Sequence, residues 1–289
     1  MNSGNTYKDF EEEVLPMSNI QLLNVSINNW TMAELLEKLN HGVVFTANVD
    51  HLVKLQTDRE FYEAYENADY RTCDSKIIYY VSRLLGCSVR EKVSGSDLFP
   101  AFYQYHKQNE DIKIFLLGAK EGVAAEAQRK INTKVGREIV IGAHSPSFGF
   151  ERNEAECEQI IDLVNQSGAT VLAVGVGCPK QEKFIYQYRH RFKHVKIFLA
   201  IGATIDFEAG NVNRAPKWIS EMGLEWLYRL VSEPRRLWKR YLVEGPAFFW
   251  LTFLQRTNLY RNPFEDGEVE ASQPSQSTFP QLSDFKINS

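Results

Sequence analysis

No stretch of this sequence stays apolar for long. The longest such run in its 289 residues, Pro246 to Leu254, is about half of the ~18–20 residues that a bilayer-spanning helix needs. The chain is therefore expected to touch a membrane without crossing it. Cysteine is scarce: Cys73, Cys87, Cys157 and Cys178 include no C-x-x-C pair and no histidine at zinc-ligand spacing. Met1 to Phe10 is polar and acidic rather than signal-like, so the four read as free thiols of a reducing cytosol. The glycine loop after Val174 is neither G-x-G-x-x-G nor Walker A, which leaves a dinucleotide oxidoreductase or a P-loop enzyme without its phosphate-binding signature. There is no D-x-D triplet either. Carboxylates that would hold a divalent ion against a diphosphate are not grouped, and a metal-free chemistry without a cofactor is the more economical reading.

What the chain does contain is unevenly distributed. Residues 214–261 carry nine Lys and Arg against four acids, and residues 262–289 one Lys against five acids, within a net charge of -4. A basic segment on an acidic body points to a localised anionic partner rather than general nucleic-acid affinity. Residues 1–17 read as a flexible leader. From 18 to 213, short apolar strands alternate with helical stretches. Asn19 to Ile27 suggests a strand or hairpin, and Thr31 with Glu34 forms a capping box. Strands are expected at Val43–Ala47, Tyr70–Cys73, Ile112–Leu117, Ile139–Ile141, Thr170–Val174 and Val195–Ile201. Helices are expected over 50–67, 76–85, 121–134, 153–166 and 180–191, with Asp97 capping one through His106. This grammar predicts an α/β, Rossmann-like, mostly parallel sheet with helices on both faces.

After Arg214 only helical segments remain, punctuated by Pro216, Gly223, Pro234 and Pro246. Beyond Asn262 the acidic Ser, Gln and Pro-rich tail is expected to be disordered. Trp218, Trp226, Trp238 and Trp250, with Phe248, Phe249, Phe253 and Phe264, interleave with the basic residues of this quarter. A helical subdomain with a solvated basic face is one reading. Aromatic anchors beside cations suit an interfacial helix on anionic lipid, which is the reading preferred.

In open parallel sheets, ligands bind where strands end and helix N-termini begin. Polar residues gather at five such points: Thr46 to His51, Thr72 to Ser75, Gly118 to Gly122, Gly175 to Glu182, and Gly202 to Asp206. Asn48 and Asp74 could each be no more than a helix cap. Gly118 to Gly122 resembles a phosphate-cradling loop only weakly. The Gly175 to Glu182 loop is harder to dismiss, since its glycines permit close backbone approach and Pro179 suits a helix start.

Taken in series, the runs Phe45-Thr46-Ala47-Asn48-Val49-Asp50-His51, Ala68-Asp69 with Cys73-Asp74, Val93-Ser94-Gly95-Ser96-Asp97-Leu98, Val176 to Lys183, Ile201 to Gly210, and Arg214 to Trp218 with Gly223 to Arg229 and Glu233-Pro234-Arg235 resemble the WecG/TagA/CpsF glycosyltransferases. The resemblance covers about residues 19–241. It implies an inverting transferase that uses a UDP-activated sugar and a polyprenyl-diphosphate-linked acceptor in bacterial surface polysaccharide assembly. The implied setting is the cytoplasmic membrane surface, as a peripheral protein that could oligomerise. It also implies a C-terminal helical appendage, here 214–261, that helps complete the site. In these terms Asp74 is the general base, Thr46 and Asn48 lie near the acceptor and sugar, and Gln181 lies near the donor. Two departures stand out. Ser75 follows Asp74 where many members have Gly, and Lys92 stands where an Arg is common, which keeps the charge but not the bidentate fork.

An inverting transfer needs one base, for which Asp74 is the first candidate, Asp206 the second and Asp97 the third. The substrate-binding set is expected to comprise Thr46, Asn48, Lys92, Gly95, Asp97, Gly177, Pro179, Gln181, Glu182, Gly202, Asp206 and Arg214. Leaving-group charge is assigned to Arg229, Arg236 and Lys239, placed on one helical face if Pro234 allows it, with Arg235 and Arg240 beside them. A non-catalytic nucleotide- or lipid-binding module is the alternative.

Overall fold

A computed structural model describes residues 18–216, 218–219 and 222–265, without the side chains of residues 236, 240, 243 and 244. The expected leader and most of the expected acidic tail lie outside the described residues. The chain opens with an antiparallel hairpin, β1 (Asn19–Leu22) and β2 (Val25–Asn28). Helix α1 (Met32–Lys38) follows, with the Thr31 and Glu34 capping box in place.

Six strands then build one parallel sheet: β3 (Gly42–Ala47), β4 (Tyr70–Cys73), β5 (Ile114–Gly118), β6 (Val140–His144), β7 (Val171–Gly175) and β8 (Ile197–Ala200). Their spatial order is β4-β3-β8-β7-β5-β6, and every neighbouring pair is parallel. The apolar runs seen in the sequence are these strands. Alternate residues feed two separate cores, because a strand turns successive side chains to opposite faces. Phe45, Leu117, Leu172, Val174 and Phe198 face one core, and Val44, Leu116, Val171, Ala173 and Leu199 face the other.

Helices α2 (Val49–Lys54), α3 (Arg59–Glu66), α4 (Lys76–Leu84), α7 (Glu154–Ser167) and α8 (Lys180–Tyr188) cover the first face. Helices α1, α5 (Gly95–Tyr105), α6 (Val123–Val135) and α9 (Thr204–Ala209) cover the second. The expected cap of α5 is corrected. Ser94 caps it, its hydroxyl accepting from the Asp97 amide, while Asp97 sits in the first turn. Both types can cap, and the local sequence does not choose between them.

The C-terminal helices are α10 (Glu225–Ser232), α11 (Pro234–Trp238), a π-helical stretch (Lys239–Glu244) and α12 (Gly245–Arg256). The first two break at Glu233, so the single basic face imagined for Arg229 and Lys239 does not form. Pro234 lacks the N–H that a continuous helix would need there. Helix α12 is bound to the first core. Phe248 is fully buried in it, and the Gln255 amide bridges the hairpin by accepting from the Leu23 amide and donating to the Gln21 carbonyl. Asn262 and Phe264 pack on Tyr62 of α3, so the start of the expected tail rests on the body.

Candidate active site

The chain leaves β3 toward one face of the sheet through α2 and leaves its neighbour β8 toward the other through α9. Loops at the carboxyl ends of such divergent strands separate and leave a crevice. A cleft of about 350 Å³ lies there, bounded by the ends of β3, β4, β7 and β8 and roofed by α10, the π-helical stretch and the start of α12.

Each strand end delivers side chains to it. From β3 come Thr46 and Asn48, with Asn48 also capping α2 through its side-chain oxygen. From β4 comes Asp74. It is not the cap of α4, a position held by Ser75, so its carboxylate stays available to the cleft. Thr46 donates its hydroxyl to Asp74 at 3.4 Å, and the Asp74 amide donates to the Ala47 carbonyl at 2.7 Å. From β7 and β8 come Gly177, Gln181 and Gly202. These loops press together: a Cβ on Gly175 would stand 2.6 Å from the Gly202 carbonyl oxygen, a distance no side chain tolerates.

Charge around Asp74 is dense. Lys92 lies 3.6 Å from Asp97 and 3.8 Å from Glu225, which enters from the first turn of α10. Burial pushes the Asp74 carboxyl up to about 7; Lys92 pulls against this, Glu225 and Asp97 add to it, and Arg229 opposes it. Asp97 goes the other way. Burial would raise it, but hydrogen bonds from Ser94 and Arg214 and the Lys92 charge hold it below the usual carboxylate range. Its Oδ1 meets Arg214 at 2.5 Å. Of the three candidate bases, Asp74 alone combines a place in the cleft with a proton affinity suited to neutral pH. Asp97 is committed to Arg214, and Asp206 lies on α9 outside the cleft lining.

Among the described residues, no group of three or more His, Cys, Asp and Glu could hold a metal ion. No described helix is long and apolar enough to cross a membrane, and none of the four cysteines is in a disulfide.

Residues 20–262 match the glycosyl transferase WecG/TagA/CpsF family. The chain belongs to this family. Among similar proteins is the N-acetylglucosaminyldiphosphoundecaprenol N-acetyl-beta-D-mannosaminyltransferase of Bacillus subtilis (strain 168). It is 29% identical over 201 residues, which are 70% of this chain and 75% of the relative. The chain is a glycosyltransferase.

In this transferase the expected site residues divide. Thr46, Asn48, Asp74, Lys92, Gly177, Gln181, Gly202 and Arg229 line the cleft. Gly95, Asp97, Pro179, Glu182, Asp206 and Arg214 do not. Gly95 lies against the backbone of Ile201, and Arg214 reaches the site through Asp97 and through the hydroxyl of Ser96, which lines the cleft. Glu182 is wholly buried beneath its neighbour Gln181. Arg235 and Lys239 are exposed away from the lining, and the side chains of Arg236 and Arg240 lie outside the described residues. Sequence reasoning gave no role to Lys76, Phe207, Glu225 or Tyr241 and counted Phe249 only among the membrane-facing aromatics, yet all five line the cleft. Lys76 carried a local signal, since it opens the helix directly after Asp74 and Ser75. The others are brought in by tertiary packing.

Proposed function

We propose that this transferase moves a sugar from a UDP-sugar to a hydroxyl of a polyprenyl-diphosphate-linked saccharide, with inversion, without a metal, at the cytoplasmic face of the membrane in cell-envelope polysaccharide assembly. The observation that carries this reading is the half-buried Asp74, raised to about 7 inside a cleft that also presents Lys76, Lys92 and Arg229. Asp74 takes the acceptor hydroxyl proton as that oxygen bonds to the anomeric carbon. The bond from that carbon to the diphosphate breaks on the opposite side, and UDP leaves with the electron pair. The three cations are suited to the charge that develops on the diphosphate. The acceptor class is supported by the printed name of the Bacillus relative. Membrane docking is supported by the apolar surface of α12 and its surroundings, where Trp250 stacks on Phe253 and both, with Leu259 and Trp238, are exposed.

The test is a panel of UDP-sugars offered with a polyprenyl-diphosphate-linked N-acetylglucosamine. Transfer from one donor with inversion at the anomeric carbon supports the reading. No transfer from any UDP-sugar, or retention of configuration, overturns it. The panel also names the sugar.

A further inference from the structure

The Gln181 carboxamide ties together two loops that no backbone ladder joins. Its Oε1 accepts from the Gly177 amide at 3.3 Å and from the Gly202 amide at 3.2 Å. Gly177 belongs to the loop after β7 and Gly202 to the loop after β8, and both line the cleft. On its other side, the Gln181 Nε2 donates to Glu182 Oε1 at 2.8 Å. Gln181 is buried and Glu182 has no exposed surface at all.

A carboxamide has nearly the same shape when turned over, so its partners decide which end points where. Turned over, it would direct N–H against N–H at both glycines. Glu182 prevents this by offering an acceptor to the amide nitrogen. Burial pushes the Glu182 carboxyl up to about 7, and Oε1 remains an acceptor whether or not the group carries a proton. The helix bearing both residues is a firm mount. Lys183 bridges to Asp58 at 2.8 Å and Glu60 at 2.9 Å, Lys180 pairs with Glu151 at 2.9 Å, and Phe184 and Ile185 are in the core.

We propose that Glu182 is a positioning residue: by orienting the Gln181 carboxamide it locks the Gly177 and Gly202 loops into one rigid cradle for the donor diphosphate. This rests on the reading of the cleft as a UDP-sugar site, and it reassigns Glu182 from contacting substrate to holding the residue that shapes the site. Gly177 has φ +88° and Gly202 φ +55°, so each occupies a region that favours glycine, and neither has a side chain that could fix its own amide in place. The lock must come from elsewhere.

Two variants isolate the effect. Glu182→Met keeps length and loses the acceptor, whereas Glu182→Gln keeps a carbonyl acceptor. Hydrogen exchange followed by mass spectrometry on the ligand-free chain reads the loops directly, and calorimetric titration with UDP reads the cradle. In Glu182→Met, peptides containing Gly177 and Gly202 are expected to exchange about tenfold faster and UDP to bind about tenfold more weakly, since a buried amide loses its partner. Glu182→Gln is expected to restore both to near the wild-type values. Unchanged exchange at both loops in Glu182→Met, or Glu182→Gln as impaired as Glu182→Met, overturns the proposal. If Glu182→Met does not fold, Gln181→Met removes the same clasp and should loosen both loops; unchanged exchange there overturns the proposal equally. A wild-type chain that binds no UDP counts against the donor assignment instead, and the exchange measurements still decide the lock.

Discussion

Thr46 and Asp74 meet across the carboxyl ends of two paired parallel strands, the threonine hydroxyl donating to the carboxylate at 3.4 Å. Burial, working against the pull of Lys92, brings that carboxyl to about 7. Asp74 is thereby deprotonated often enough to act and basic enough to take a proton.

The first expectation concerns Asp74 itself. Asp74→Asn should lower kcat by roughly 10²–10⁴-fold, the usual span for a lost general base. In the unsubstituted enzyme kcat/KM should rise with pH through about 7 and then level, because only the ionised carboxylate can accept the proton. The stability effect runs oppositely. A carboxyl raised in the folded state binds protons that the unfolded chain releases, so its contribution is present at low pH and lost as pH rises from about 4 to about 7. Asp74→Asn should therefore be stabilising at pH 8, on the order of 2 kcal/mol, and nearly neutral at pH 4, as read by thermal melts at both.

Lys92 and Glu225 act on Asp74 with opposite signs. Lys92→Ala removes an attraction and should move the acid limb of the pH profile upward. Glu225→Gln removes a repulsion and should move it downward, each by roughly half to one pH unit. Rate profiles from pH 5 to 9 distinguish them. Shifts in the same direction would contradict this account of the site.

Chelation provides a third check. No group of three metal-ligating side chains occurs among the described residues, and Lys76, Lys92 and Arg229 supply positive charge at the cleft. Transfer in excess EDTA should stay within about twofold of the untreated rate if cations of the chain carry the diphosphate charge. Abolition by EDTA with rescue by a divalent ion would refute the metal-free reaction.

The last expectation concerns α12. Phe248→Ala should destabilise the protein by about 3–5 kcal/mol, measured by chemical denaturation, because its ring is wholly buried in the first core. A fragment ending at Asn213 loses this ring, the Gln255 bridge and the roof of the cleft. It should melt well below the full chain and show no transfer; full activity of the fragment would remove the C-terminal helices from the site.

The central strands β3, β5, β7 and β8 were legible in the sequence because each is a short apolar run bounded by polar or glycine residues. Leu172 to Val174 and Phe115 to Leu117 could hardly be placed otherwise in a chain of this periodicity. Asp74 was legible for a related reason, since a carboxylate directly after such a strand falls at the sheet's carboxyl edge. Its neighbours were less so. Asp97 reads in the sequence as a helix cap and a third candidate base, whereas in the fold it is paired with Arg214, 117 residues away. Asp74 directly follows β4, whereas Asp206 lies six residues beyond the end of β8, inside α9 and outside the cleft lining. The break at Glu233 and the π-helical stretch after Trp238 redirect the basic residues in ways that spacing of seven and three does not encode. Phe249, Tyr241 and Phe207 reach the site only through the folded chain.

Gln255 joins Leu23, and the interval between them spans nearly the whole described chain. A ribosome makes the hairpin turn well before its partner, so the Leu23 amide waits through the synthesis of more than two hundred residues before Gln255 can accept from it. The same late helix supplies Gly245, Pro246 and Phe249 to the cleft wall. A nascent chain thus cannot assemble its catalytic pocket before α12 is made, and competence arrives together with closure of that helix on the hairpin.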